Sequence, residues 1–205
     1  MLDTTYEPIV EFKPRSVRNE IVRGEASRNR VMAAARQELV EQGWKNFSLE
    51  EVLLRCQATE QDIEQWWSTP AALVVEAAFE VVEDPAPMIA GPLDVKLARF
   101  VDPLIEVART SEGAYLLRCA LLAASDDAQA GAEFRNYFNI HFRKPLKAVL
   151  AEASTRGEIR RDYDIDICCE LLFGPIWHRL VIMRSPLPEV TARRAAHGLI
   201  ASLRG

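Results

Sequence analysis

Apolar residues recur along this chain at helical spacing, and no alternating apolar and polar run persists beyond a few residues. The pattern predicts an all-α protein. A first helix is expected from Ser27 as N-cap, with Val31, Ala35 and Leu39 on one face and Gly43 ending it. Ser48 and Glu51 stand at capping-box spacing, and Leu49, Val52 and Leu53 supply the buried stripe of a short second helix. Cys56-Gln57-Ala58 reads as a tight turn into Thr59, the N-cap of a third helix whose inner side is Ile63 with Trp66 or Trp67. Thr69 and Pro70 open a fourth helix through Leu73, Val74, Ala77 and Val81, since proline is well tolerated at the first helical position.

After Val82 the run EDPAPMIAGPLD breaks the pattern and marks a boundary. The expected organisation is a flexible arm over 1–26, a helix-turn-helix domain over 27–82 and a larger helical domain over 83–205. In the larger domain the periodicity predicts a helix from Asp94 to about Arg109, bent at Pro103. The block YLLRCALLAAS is apolar almost all round and belongs in the core. A long segment from about Ala128 to Thr155 is interrupted at Pro145 and stopped by Arg156-Gly157, and helices over Asp164–Arg184 and Pro188–Leu203 complete the chain.

With 205 residues, 49% of them apolar, the chain can bury a sizeable core without disulfides or metals. Cys56, Cys119, Cys168 and Cys169 form no CxxC pair and no metal spacing with His141, His178 or His197, which predicts reduced thiols, no metal site and a cytoplasmic setting. No apolar run is long enough to span a membrane, and MLDTTYEPIVEFKPRS lacks the apolar core of a signal peptide. No nucleophile–base arrangement, carboxylate pair or glycine-rich phosphate loop is legible, so neither an enzyme nor a cofactor is expected.

The net charge of −5 hides an uneven distribution. From Lys13 to Lys45 eight basic residues face four acidic ones, a net of +4; from Asn46 to Val95 Arg55 alone faces ten acidic residues, a net of −9. The third helix carries Glu60, Asp62 and Glu64 and no Lys or Arg.

The run SRNRVMAAARQELVEQGWKNFSLEEVLLRCQATEQDIEQWWSTPAALVVEAAF resembles the DNA-binding domain of the tetracycline-repressor (TetR) family of bacterial regulators. AVLAEASTRGEIRRDYDIDICCELLFGPIWHRLVI is similar to the long dimer-forming helices of the same family. The resemblance implies a two-domain, all-helical homodimer whose N-terminal domain reads DNA and whose C-terminal domain binds a small-molecule effector. The DNA-facing residues it implies are Arg28, Lys45, Ser48, Thr59, Glu60, Gln61, Glu64, Gln65 and Trp66. The sequence departs from the family at that surface. Glu60 stands where a basic or small residue is usual, Glu64 replaces a phosphate-reaching tyrosine, and Pro70 replaces a phosphate-pairing lysine, whereas the aromatic that closes the helix survives as Trp67.

These acids oppose the electrostatic attraction that supplies most non-specific DNA affinity. Gln61 and Gln65 can still read adenine edges, Glu or Asp can accept from cytosine, and the basic segment Lys13 to Arg30 can recover phosphate contacts. Two functions therefore stand: a DNA-binding regulator with weakened contacts, or a fold of this kind that binds another protein through its acidic N-terminal face, with Trp66 or Trp67 as anchor. The effector cavity is expected beside Tyr115, Arg118, Tyr137, His141, Trp177 and His178, the polar and aromatic interruptions in aliphatic helices of the larger domain.

Overall fold

The computed structural model of the chain describes residues 15–83 and 91–204, and every regular element among them is helical. Helix α1 spans Arg15–Gln42. The expected start at Ser27 is thus corrected: after Pro14 no residue up to Gln42 forbids helix, and Gly24 and Ser27 are carried inside it. Of the expected flexible arm over 1–26, residues 1–14 lie outside the described residues and residues 15–26 are helical. Gly43 ends α1 with φ +74, and any side chain there would collide with the Tyr115 hydroxyl. A short 3-10 turn over Trp44–Asn46 leads into α2 at Leu49–Cys56, α3 at Glu60–Glu64 and α4 at Pro70–Phe79.

Helix α4 holds the molecule together. Eight of its ten residues are buried, so it is covered on all sides. Ala72, Leu73 and Ala77 face Val31, Met32, Ala35, Val52, Ile63 and Trp67, the core of the helix-turn-helix unit. Ala71, Val74, Val75, Ala78 and Phe79 join the core of the following helices instead. The Pro-rich joint expected after Val82 falls largely on 84–90, outside the described residues.

The second core is built by α5 (Leu93–Arg109), α6 (Ser111–Asp126), α7 (Ala128–Phe138), α8 (Lys144–Thr155), α9 (Ile165–Trp177) and α10 (Val190–Arg204). Pro103 lies inside α5 as the sequence predicts. Helices α7 and α8 form one rod interrupted by a π-helical turn over Asn139–Arg143. Pro145 explains the break, because it has no N–H for the carbonyl one turn before it and loosens the ladder on that side. Helix α9 is capped by Asp164, contains Pro175 and continues as a π-helical turn over His178–Met183 that ends at Arg184 with φ +46. Phe100, Phe142 and Phe173 meet edge to face at the centre, with the ring centroids of Phe142 and Phe173 5.4 Å apart, and Phe138 meets Phe173 edge to face while stacking on Phe142. Cys119, Cys168 and Cys169 are buried as free thiols, and burial pushes Cys169 up to about 11. Among the described residues no helix is long and apolar enough to cross a membrane, and no cluster of His, Cys, Asp or Glu could hold a metal ion.

Candidate nucleic-acid interface and ligand cleft

Two capped helices and a left-handed turn shape the N-terminal surface. The Ser48 hydroxyl accepts from the Glu51 N–H at 3.3 Å and starts α2. Gln57, at φ +52, ends it, and the Ala58 N–H returns to the Leu53 carbonyl at 3.2 Å. Helix α3 then begins with a full capping box. The Thr59 N–H and hydroxyl each donate to Asp62 Oδ2 at 2.7 Å, and the Asp62 N–H donates to Thr59 Oγ1 at 3.3 Å. Those bonds from Thr59 hold the Asp62 carboxyl below its ordinary range.

Asp62 is therefore committed to its own helix. Of the three acids in α3, only Glu60 and Glu64 remain exposed to a partner, together with Gln61, Gln65 and Trp66. Ile63 and Trp67 turn inward, so the aromatic that closes this small core is Trp67 and its neighbour Trp66 is 40% exposed.

The basic residues are not equally available. Lys45 is exposed on the turn after α1. Arg28 is ion-paired to Glu76 of α4, with its guanidinium carbon 5.8 and 5.7 Å from the ring centres of Trp66 and Trp67. Arg55 lies 2.6 Å from Glu41 and 2.9 Å from the buried Glu38, which fastens α2 to α1. The Arg55 hydrogen bond, then that of Gln37, holds Glu41 down to about 2. Thus Arg28, expected at the DNA, is occupied in packing α1 on α4.

The residues expected to border one effector cavity do not converge. Tyr115 and Arg118, on α6, sit beside Gly43 and the turn carrying Trp44, where the Trp44 indole N–H donates to Asp126 at 3.0 Å. Tyr137 and His141 lie near the far end of α4; their rings stack 4.2 Å apart, and the Tyr137 hydroxyl donates to the Phe79 carbonyl at 3.3 Å. Trp177 stacks on Phe173 at the end of α9, and His178 is exposed. Tyr115 and Arg118 belong to α6, Tyr137 and His141 to α7 and the π-helical turn after it, and Trp177 and His178 to the end of α9 and its extension, so the six are distributed around the core.

A cleft of about 210 Å³ lies where the two cores meet. Trp66, Trp67 and Glu76 form its N-terminal wall, and Glu133, Tyr137 and His141 the wall from α7 and the π-helical turn. Sequence reasoning found Tyr137, His141 and Trp66 as single residues and missed Glu76 and Glu133, because nothing in the pattern brings α4 and α7 side by side.

The outer face of α9 exposes Ile167, Leu171 and Pro175, and Ile182 and Met183 continue it along the π-helical turn. Helix α10 behaves differently. Its Ala192, Ala195, Ala196, Leu199, Ile200 and Leu203 are buried within the protomer, leaving Arg193, Arg194, His197, Gly198, Ala201 and Ser202 outside. The apolar residues of α10 thus complete the chain's own core.

Comparison with known proteins bears on both halves. A family model described as the C-terminal domain of tetracyclin-repressor-like proteins matches residues 90–199. A protein of Bacillus subtilis (strain 168) described as the uncharacterized HTH-type transcriptional regulator YdeS is 26% identical over 168 residues, which cover 78% of this chain and 81% of that protein. Among solved structures, the TetR family transcription regulator SCO0332 superposes with a TM-score of 0.64 at 22% identity, covering 86% of this chain and 98% of that one. A putative TetR-family transcriptional regulator from Mesorhizobium loti MAFF303099 gives a TM-score of 0.60 at 16% identity, over 88% and 96% of the two chains. GusR of Salmonella enterica gives 0.55 at 20% identity, over 87% and 92%.

Proposed function

Because the chain belongs to the tetracycline-repressor family of transcriptional regulators, we propose that it acts as a homodimer presenting two copies of α2, the turn and α3 to DNA, under the control of a small-molecule effector. The observation that carries this reading is the Thr59–Asp62 capping box. It starts α3, whose Gln61 and the following Gln65 are exposed, and it engages Oδ2 of one of the three acids within the helix's own cap. Gln61 and Gln65 suit adenine edges, and Glu60 and Glu64 suit the cytosine amino group. Ser48 and Lys45 flank them for phosphate binding, Thr59 having both its donors on Asp62, and Trp66 closes the end of the surface. On this reading the acids act as base readers in a site that engages few phosphates, so affinity is modest and selectivity is high.

Support for the dimer comes from the uncovered apolar line of Ile167, Leu171 and Ile182 on α9 and its extension, beside the small residues Gly198, Ala201 and Ser202 of α10. A two-fold pairing would bury that line, and DNA reading by the pair requires the two α3 helices at the spacing of successive major grooves.

The test is selection of sheared genomic DNA by the purified full chain at low salt, followed by sequencing. Enrichment of an inverted repeat is expected. In the same assay Glu60→Lys with Glu64→Tyr should raise affinity for random duplex, steepen its salt dependence by about one unit for each phosphate newly neutralised, and erase the preference for the repeat. No enrichment over bare beads at low salt would overturn the proposal.

A further inference from the structure

We propose that the cleft between the two cores is a binding site for a small aromatic or alkylated organic cation, and that the ligand competes with Arg28 for Glu76. The inference rests on the regulatory reading only for its consequence, since it names the ligand class and site through which such a regulator would be controlled. The walls carry it. Trp66 with the largely buried Trp67 on one side and Tyr137 with His141 on the other bring aromatic rings to a space of about 210 Å³, and Glu76 and Glu133 bring carboxylates to it. Aromatic faces combined with carboxylates favour a soft, weakly hydrated cation over a neutral or anionic molecule. The chain itself places one such cation against these residues. The Arg28 guanidinium lies within 6 Å of both indole centres and is ion-paired to Glu76, so a delocalised cation of the chain's own is held by the residues that form the N-terminal wall.

Glu76 gives the site its leverage. Its carboxylate also accepts from the buried Trp67 indole, so it joins α1, the end of the helix-turn-helix unit and α4 through one group. A ligand cation reaching Glu76 from the cleft draws the carboxylate away from Arg28 and loosens α1 from α4 beside Trp66, two residues beyond Glu64. Glu133, exposed on α7 and accepting from Gln129 at 3.1 Å, adds charge without supporting the core.

The experiment is calorimetric titration of the full chain, without DNA, with phenyltrimethylammonium, with its neutral isostere tert-butylbenzene and with benzoate. Saturable binding of the cation, at least tenfold tighter than either control, is expected. Glu133→Gln should weaken the cation about three- to tenfold and leave the controls unchanged, and Trp66→Leu should weaken it comparably. Arg28→Ala should have the opposite sign and tighten it several-fold by removing the internal competitor. Equal affinity for the neutral isostere, absence of saturable binding, or cation affinity indifferent to Glu133→Gln and Trp66→Leu would each overturn the proposal. If Arg28→Ala fails to fold, Glu133→Gln still decides, because that side chain is on the surface. Loss of this proposal with operator enrichment intact leaves the DNA-binding function standing. The reverse result separates the two the other way.

Discussion

The helix-turn-helix unit and the body of α5 to α10 bury their interiors by different means. In the small unit the buried set includes Ala34, Ala35, Ala72 and Ala77, with Met32, Leu73 and Trp67 as the bulky members. Its helices are tied by polar devices in addition to packing: Arg55 to Glu38 and Glu41, Arg28 to Glu76, Arg36 to Glu80, and the caps at Ser48 and Thr59. The body instead packs Phe142 and Phe173 with Leu104, Leu117, Leu146, Leu150 and Leu172 at zero or near-zero exposure, and Phe100 buried beside them. Packed aromatics hold one arrangement, whereas surface ion pairs are individually weak and can be exchanged for others. The domain that should contact DNA is therefore the one whose geometry a ligand, a salt or a proton can shift.

Truncating the centre of the body should have the largest effect. Phe173→Ala removes a ring that touches Phe100, Phe138, Phe142 and Trp177, and should cost about 3–5 kcal/mol in chemical denaturation. A cost below about 1 kcal/mol would mean that the body can collapse around the gap, and the contrast between the two interiors would not hold. Leu73→Ala tests the other face of the same scaffold, at about 2–5 kcal/mol. It should appear first as loss of amide protection in α2 and α3, with α6 and α9 still protected. Simultaneous loss of protection in both would mean that α4 couples the two interiors into one cooperative unit.

A smaller effect is expected at the cap of α3. Thr59→Ala leaves the Asp62 N–H without its acceptor and the Asp62 carboxylate with the backbone N–H of residue 59 alone, and should cost about 1 kcal/mol. Thr59→Ser should restore most of it. Because α3 has only five residues, the loss should show in operator affinity more than in global stability. An unchanged operator affinity in Thr59→Ala would sever the link between the cap and DNA reading.

The sequence made some of this legible and concealed the rest for identifiable reasons. Caps, stops and periodicity announced α2, α3, α4 and α9 at Ser48, Thr59, Thr69 and Asp164, because those signals are local. Ser27 misled: it has N-cap chemistry, but nothing between Pro14 and Gly43 stops a helix, and α1 runs through it. The role of Asp62 was hidden by the convention that Glu or Gln closes a capping box; the shorter Asp side chain does so here, so that of the three charged acids Glu60 and Glu64 are the ones whose oxygens are left to a partner. The cleft could not be read at all. Its carboxylates come from α4 and α7, far apart in the chain, and their proximity depends on tertiary packing alone. The polar residues of the larger domain were identifiable as exceptions to an aliphatic pattern, yet a one-dimensional pattern does not say on which side of the core each helix turns them.

The smallest expected effect is that of acid, and its sign separates the two regions further. Glu41 is held down to about 2 by its hydrogen bond to Arg55, and Asp62 is lowered by Thr59. A carboxylate depressed in the folded state contributes stability that is complete above its ordinary value and disappears as the pH falls through the depressed one. Between about pH 4.5 and pH 2 the clasp of α2 on α1 should therefore fail progressively. The body also carries lowered carboxylates, Glu152 beside Lys96 and Asp166 beside Arg143, but they lie outside the aromatic centre and their protonation leaves that packing intact. Asp102, raised by burial, works in the opposite direction, since acid relieves the cost of keeping it charged. Hydrogen exchange near pH 3 should accordingly show α2 and α3 opening while α6 and α9 stay protected, and Glu41→Gln should bring part of that opening to neutral pH. Carboxyl resonances that titrate at ordinary values for Glu41, or equal protection of both regions down to pH 2, would show that charge does not distinguish them.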